Sequence, residues 1–255
     1  MNLFGFLGLP VSFSVHAPQV DKLFYYIHYL MLALFVGWFC YFLYAIFRFR
    51  KSVNPKASYI GVQSHASSYI ELAVAVVEIV ILIGFALPLW SRLVDKFPAE
   101  KDATVIRVTA EQFAWNSRYA GKDGIFGKQD VKFLTTANPL GLDNSDPAGK
   151  DDITAPLNEM IVPLGKPVIT YFTSKDVIHS FKVIPFRITQ DCIPGLSIPL
   201  WFEPTQIGDY LINCAQLCGN SHYFMKGVFK VVTPEDYEKY MAEKSKAGGG
   251  NVSFE

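Results

Sequence analysis

Residues 209–233 read DYLINCAQLCGNSHYFMKGVFKVVT. Two strand-like runs, DYLINC (209–214) and KGVFKVVT (226–233), flank a loop dense in soft metal ligands. Cys214 and Cys218 are four positions apart, His222 is four further on, and Met225 three beyond that. A disulfide, a zinc site, a mononuclear copper site and a dinuclear copper site could all be built from such a loop. The rest of the chain has to separate them.

Runs of the same kind recur upstream: ATVIRVTA (103–110), KPVITYFTS (166–174), HSFKVIPF (179–186) and IPLWFEP (198–204). They are rich in β-branched and aromatic residues and are separated by Pro, Gly and Asp. This spacing predicts an all-β sandwich or barrel. The stretch 120–160 is rich in Gly, Asp, Asn and Pro and predicts long loops with at most one strand, VKFLTT (131–136). TPEDYEKYMAEKS (233–245) predicts a surface helix, with Thr233 as N-cap, Pro234 at the first helical position and Asp236 completing a capping box. KAGGGNVSFE (246–255) predicts a flexible tail. No internal repeat is visible.

The first hundred residues differ. Mean hydropathy is +0.22 over the chain, and the apolar excess is concentrated here. Leu23–Phe47 carries no formal charge, and Ile70–Trp90 carries only Glu71 and Glu78. A bilayer-spanning helix needs about 20 mainly apolar residues, so both qualify. Arg48, Arg50, Lys51 and Lys56 follow the first span with no acidic residue among them, whereas the outer flanks are mixed: Asp21 and Lys22 before, then Arg92, Asp95, Lys96 and Glu100 after. The positive-inside rule makes the loop 48–69 cytoplasmic and puts both termini outside. The N-terminus lacks a basic region and a small-residue cleavage site, so no signal peptide is expected. The 23 basic and 23 acidic residues balance, which argues against nucleic-acid binding.

A disulfide between Cys214 and Cys218 would close a tiny loop, constrain little and leave His222 and Met225 without a purpose. Zinc suits Cys and His, but a thioether favours copper. A mononuclear blue-copper loop has a single Cys, whereas two thiolates facing one pocket can bridge two coppers. Each copper then needs an imidazole and a weaker ligand, and one imidazole must come from elsewhere. Of the five histidines, His16, His28 and His65 precede or lie in the membrane part, leaving His179 in DVIHSF as the second imidazole. Cys40 reads as packing in the first span, and Cys192 in QDCIPG as structural or a free thiol.

CAQLCGNSHYFM, DVIHSF and QDCIPG, behind two N-terminal spans, resemble subunit II of the haem–copper cytochrome c oxidases. The resemblance covers residues from about 20 to 240. It implies a two-helix transmembrane hairpin followed by an all-β cupredoxin-like domain, a Greek-key barrel or sandwich. The divisions expected are an outer N-terminal segment (1–22), the hairpin (23–98), the copper domain (99–235) and a C-terminal helix and tail (236–255). It also implies a dinuclear copper centre, CuA, held by His179, Cys214, Cys218, His222, Met225 and the backbone carbonyl of Gln216. Such a subunit accepts electrons from a cytochrome c or a membrane-complex cytochrome. It hands them to haem in subunit I, where oxygen is reduced and protons are moved. Implied surroundings are subunit I, further oxidase subunits and the lipid of a bacterial-type cytoplasmic membrane, with the copper domain on the outer side. No C-x-x-C-H occurs, so no c-type haem is expected in this chain.

The sequence departs from that family in two places. The aromatic-rich strand reads EQFAWNSRY, with Phe113 where the family has its first tryptophan and Trp115 at the second. These two are candidates for the electron path, against the plainer reading of ordinary strand aromatics. Gln216 replaces the family's glutamate, which keeps the carbonyl but removes a charge from the neighbouring magnesium site. In the second span Glu71 and Glu78 are seven apart on one helix face, and the spacing of Glu71 to Pro88 resembles the glutamate at the family's proton-uptake channel. Asp176, Asp191 and the acidic stretch Asp143–Asp152 are candidates for a face that docks a basic cytochrome c. Competing readings are a copper chaperone or store, the quinol-oxidase subunit that has lost its copper ligands, and a nitrous-oxide-reducing enzyme. The retained ligands weigh against the quinol oxidase, and the missing propeller domain against the last.

Overall fold

A computed structural model describes residues 10–246 except 58, 62 and 136. The expected tail, residues 247–255, therefore lies outside the described residues, apart from Lys246. The chain divides into two units, residues 10–18 with 93–246, and residues 19–92.

The apolar runs form two long helices. Helix α1 spans Ala17–Phe49. The second run is helical over Ala66–Val94, as α2 (Ala66–Ile81), a π-turn (Leu82–Ala86) and α3 (Leu87–Val94). Pro88 lies two residues past the end of the π-turn. A proline within a helix lacks an N–H and crowds the carbonyl four residues back, and a wider turn relieves both. Both helices outrun the apolar stretches 23–47 and 70–90, because lipid limits only the apolar part while helical hydrogen bonding continues into the flanking polar residues. Tyr26 meets Phe85 edge-on with ring centroids 5.1 Å apart, which ties the two helices together. Glu71 and Glu78 both lie on α2.

The other unit is a sandwich of two five-stranded sheets. Its strands are β1 (Thr104–Glu111), β2 (Ala114–Tyr119), β3 (Ile153–Thr154), β4 (Glu159–Pro163), β5 (Val168–Ser174), β6 (His179–Val183), β7 (Ile188–Cys192), β8 (Ile198–Phe202), β9 (Gly208–Cys214) and β10 (Lys226–Val232). One sheet has the order β3-β2-β1-β5-β8 and the other β4-β10-β9-β6-β7. Ile106, Val108, Trp115 and Phe172 from the first sheet face Met160, Phe181, Ile212 and Phe229 from the second.

The stretch 120–160 differs from its reading. Val131–Phe133 is a single 3-10 turn rather than part of a strand. The strands of this region are β3 and β4 instead. Asp130 explains the turn: its side chain accepts from the Lys132 N–H and caps it. The stretch folds back over the outer face of β2, all six residues of which are buried. Arg118 there pairs with Asp152 at 3.0 Å, both side chains almost wholly buried. Asp152 also accepts from the Gly127 N–H, and the Phe126 ring lies 5.5 Å from the Arg118 guanidinium. Burial draws Arg118 down to about 10 and pushes Asp152 up, against their mutual attraction.

Residues 13 and 14 are bonded to the sandwich. Ser14 bridges to Pro204 and its hydroxyl donates to the Phe186 carbonyl at 2.7 Å, while the Phe13 N–H donates to Pro185 at 2.8 Å. At the other end, α4 (Pro234–Lys246) begins as its sequence predicts. The Thr233 hydroxyl accepts from the Asp236 N–H at 3.1 Å and donates to its carboxylate at 3.0 Å. This helix is not wholly a surface element, since Tyr237 is buried against Tyr119 with centroids 6.4 Å apart.

The buried Arg118–Asp152 pair predicts a measurable asymmetry. Arg118→Met leaves a carboxylate buried alone and should cost about 3–5 kcal/mol in thermal or denaturant unfolding. Adding Asp152→Leu should recover most of that loss. A double variant as unstable as the single one would show that the pair is not what clips the insertion down.

Candidate metal centre

The opening stretch of sequence is a strand, a loop and a strand. β9 and β10 pair antiparallel, Asn213 opposite Lys226, so the loop 215–225 begins and ends at neighbouring points. Its ends are tied: the Cys214 N–H donates to the Met225 carbonyl at 3.2 Å, and the Ala215 N–H to the Ser180 carbonyl at 2.9 Å. β6 lies on the other side of β9, with Phe181 opposite Cys214. That register carries His179, the first residue of β6, to the mouth of the loop.

The ligand atoms converge. The sulfurs of Cys214 and Cys218 are 3.8 Å apart. His179, Cys214 and Cys218 offer ligand atoms within 4.8 Å of one another. The His179 Nδ1 lies 4.0 Å from the Cys214 sulfur and 3.1 Å from the Met225 sulfur. The Met225 sulfur is 3.7 Å, and the His222 Nδ1 3.5 Å, from the Cys218 sulfur. The Gln216 carbonyl oxygen lies 3.1 Å from the Cys214 sulfur. His179, Cys218 and Met225 are buried, and Cys214 and His222 half-buried.

Hydrogen bonds behind the ligands hold this arrangement. Asp176 accepts from the His179 Nε2 at 2.9 Å, which leaves Nδ1 turned towards the sulfurs. The other Asp176 oxygen accepts from the Gln112 N–H at 2.7 Å, and the Gln112 side chain donates to the Cys218 carbonyl at 2.5 Å. Gly219 (φ 141°) lies under this turn, and a Cβ there would meet Gln112 at 2.8 Å and Phe113 at 3.0 Å.

A family profile described as "Cytochrome C oxidase subunit II, periplasmic domain" matches residues 104–232. The chain belongs to the cytochrome c oxidase subunit II family. An alternative cytochrome c oxidase subunit 2 of Bradyrhizobium diazoefficiens is 32% identical over 81% of this chain and 73% of its own length. The cytochrome c oxidase subunit 2 of Cereibacter sphaeroides is 31% identical over 98% of this chain and 83% of its own. Among solved structures, the periplasmic domain of subunit II of cytochrome oxidase from Bradyrhizobium japonicum is 26% identical, with a TM-score of 0.43, over 60% of this chain and 99% of that one.

In this subunit II chain the two apolar helices precede a cupredoxin-like domain. The family implies CuA copper, and His179, Cys214 and Cys218 form a candidate copper cluster. Two thiols, a thioether and two imidazoles converging in one partly buried pocket are a donor set suited to copper.

The remaining predicted residues fall in distinct places. Phe113 is in the turn between β1 and β2, half-buried against Gly219 and so beside the ligand loop. Trp115 is in the core instead, its ring edge-on to His179 at 6.3 Å and to Phe181 at 5.4 Å. Glu71 is on α2, in the other unit. Cys192 is buried opposite His179 on β7, and burial pushes its thiol up to about 12.

Two of the acids expected in a docking face are engaged within the chain. Asp176 is committed to His179 and Gln112. Asp152, at the end of the acidic stretch, is paired with Arg118 on β2. The roles of Gln112 and Asp176 around the ligands were missed in the sequence, although the i, i+3 spacing of Asp176 and His179 was a readable sign.

Protonation is uneven across the sulfur pair. Burial raises Cys214, but hydrogen bonding from His179, the backbone of Ser180 and Gln216, and Cys218 outweighs it and lowers the thiol to about 6. Burial and the neighbouring Cys214 charge push Cys218 up to about 11. For Asp176 the hydrogen bonds from His179, Gln112 and Val177 outweigh burial and hold the carboxyl below its usual range.

In the reduced, copper-free chain Cys214 is then a thiolate above about pH 6, while Cys218 stays protonated to about pH 11. Only the thiolate alkylates, so iodoacetamide at about pH 7 should label Cys214 at least about tenfold faster. The Cys214 rate should level off above about pH 7 while that of Cys218 still climbs at about pH 9. Peptide mass spectrometry after short exposures reads both, and equal rates or Cys218 first would contradict the assignment.

Proposed function

We propose that this chain is the electron-accepting subunit of a haem–copper cytochrome c oxidase. It takes electrons from a cytochrome c-type donor at a dinuclear CuA centre and passes them to haem in subunit I, for oxygen reduction coupled to proton translocation. The observation that carries this reading is the approach of two imidazoles, a thioether and a backbone carbonyl to one pair of cysteine sulfurs 3.8 Å apart.

Cys214 and Cys218 would bridge both metal ions. His179 and Met225, whose ligand atoms already lie 3.1 Å apart, would complete one end. His222 and the Gln216 carbonyl would complete the other. Bound there, the copper pair supplies a one-electron carrier whose charge is spread over two ions. The chain's own part is to hold the ligands still. β9, β10 and β6 fix the loop ends, Asp176 orients His179, and burial keeps water off His179, Cys218 and Met225. A site that changes shape little between its two charge states loses little energy to reorganisation. Phe113 over the ligand loop is the position for electrons to come in, with Trp115 beneath His179 as an inner neighbour.

For topology, we place the sandwich and the N-terminus on the periplasmic side of the cytoplasmic membrane, with the loop between α1 and α2 inside. The attachment of residues 13 and 14 to the sandwich supports this, since α1 then starts on the sandwich's own side. Glu71 falls near the inner end of its span and would serve proton uptake by subunit I. Gln216 would give a divalent ion at the subunit I boundary only a neutral oxygen, so a magnesium there would be held more weakly than by a carboxylate.

A copper store or chaperone is the second reading. It needs ligands that release metal, and the double fastening of His179 and of the loop by Asp176 and Gln112 speaks for retention.

The test is electron paramagnetic resonance of the copper-loaded, detergent-solubilised chain. The expected spectrum is that of one electron shared equally by two copper nuclei, and a single-nucleus pattern would sink the dinuclear reading. Cys214→Ser and Cys218→Ser should each abolish the shared-electron signal, whereas Gln216→Ala, which keeps the carbonyl, should leave it nearly unchanged.

A further inference from the structure

We propose that the cleft between residues 129–140 and the outer face of β1 and β5 binds a short alkyl carboxylate, its head group on Arg107 and its tail against Leu134, Leu140 and Leu196. The cleft has a volume of about 460 Å³, within the range of small-molecule sites. None of the residues that line it is a ligand of the metal centre.

Strand alternation builds the floor. Ile106, Val108 and Phe172 point into the core, so Arg107, Thr109, Tyr171 and Thr173 point outward. The parallel register sets Arg107 beside Tyr171 and Thr109 beside Thr173. Gln129 anchors the wall: its side-chain amide donates to the Thr109 hydroxyl at 3.1 Å and to the Leu140 carbonyl at 2.9 Å. Thr109 accepts there, which leaves its own O–H free to donate into the cleft. Leu134 and Leu140 line the wall, and Leu196, 52% exposed, adds a third aliphatic side chain.

Charge singles out Arg107. The charged side chains lining the cleft are Arg107, Asp130 and Lys175. Lys175 pairs with Glu111 at 2.5 Å, and Asp130 with Lys132 at 3.1 Å. The Tyr171 hydroxyl donates to Glu100 at 2.5 Å. The Arg107 guanidinium makes no hydrogen bond or ion pair among the described residues, and lies 4.5 Å from the centre of the Phe126 ring. Directly opposite it on β2 is Arg118, and like charges so placed are unfavourable. Burial draws Arg118 down, and the Arg107 charge adds to that. Asp152 is already paired with Arg118, so one positive charge is left over. A carboxylate returns one negative charge in the planar, two-oxygen form that a guanidinium fork matches. A phosphate monoester, at about −1.5 to −2 near neutral pH, would overcompensate it. The Thr109 and Thr173 hydroxyls offer the head group further donors, and the three leucines cover a short tail.

The experiment is titration calorimetry on the full chain in detergent, with hexanoate, butyrate, hexanamide and inorganic phosphate. Hexanoate should bind the wild type at a single saturable site. Butyrate, with a shorter tail, should bind about tenfold more weakly. Hexanamide enters detergent but carries no charge, and should show no saturable binding. Phosphate should not displace hexanoate. Arg107→Met should weaken hexanoate at least about tenfold. Without ligand this variant should unfold no earlier than wild type, because it removes a charge opposed to Arg118 and keeps an apolar contact with Phe126. Leu196→Asp, at an exposed position, should weaken hexanoate by a similar factor with an unchanged unfolding temperature, and it carries the test if Arg107→Met fails to fold. Wild-type affinity in either folded variant would overturn the proposal. So would equal binding of hexanamide, displacement by phosphate, or a wild type that binds hexanoate at no saturable site.

Discussion

Two thiol sulfurs held 3.8 Å apart in a partly buried pocket cannot both ionise cheaply without positive charge between them. The first proton leaves Cys214 readily and the second is held on Cys218. That tension depends on backbone geometry: β9 delivers Cys214 at its last residue, and the short loop returns Cys218 to the same pocket before β10 begins. A pair of soft cations resolves it, since each sulfur can then be a thiolate to both ions. The remaining ligands and their supports follow as ways of holding that solution in one shape.

The supports form a short closed circuit. Asp176 fixes the His179 ring and the Gln112 backbone; Gln112 reaches the Cys218 carbonyl; Gly219 leaves room for the turn that carries Gln112 and Phe113. The turn at the tip of one sheet is thereby fastened to the ligand loop of the other. Site and sandwich stabilise each other, and the residue nearest the outside, Phe113, is placed by the same bonds that place the ligands. This gives one physical account of rigidity at the site and of where a donor would approach.

Much of this was legible in sequence, and the failures have definite causes. The two spans read directly from long uncharged runs, and the ligand loop from the spacing of Cys214, Cys218, His222 and Met225. The capping of α4 read from Thr233 and Asp236, although the burial of Tyr237 did not. The insertion was misread because VKFLTT has strand composition while Asp130 caps a 3-10 turn at its start. β2 carries no alternation because the insertion buries its outer face as well, so Asn116 and Arg118 are as hidden as Trp115. Composition does not reveal that Asp176 and Asp152, two of the acids read as a docking face, have partners in the chain. Partnership of charges is set by tertiary contacts, and a single sequence displays only their number.

The central claim is that this pocket is built for two metal ions sharing two sulfurs. X-ray absorption at the copper edge, on the copper-loaded chain in detergent, tests it most directly. The account predicts two sulfur and one nitrogen neighbours at short distance for each copper, together with a distinct copper–copper contribution that is lost in Cys214→Ser. A spectrum with single-copper coordination and no copper–copper contribution would contradict it.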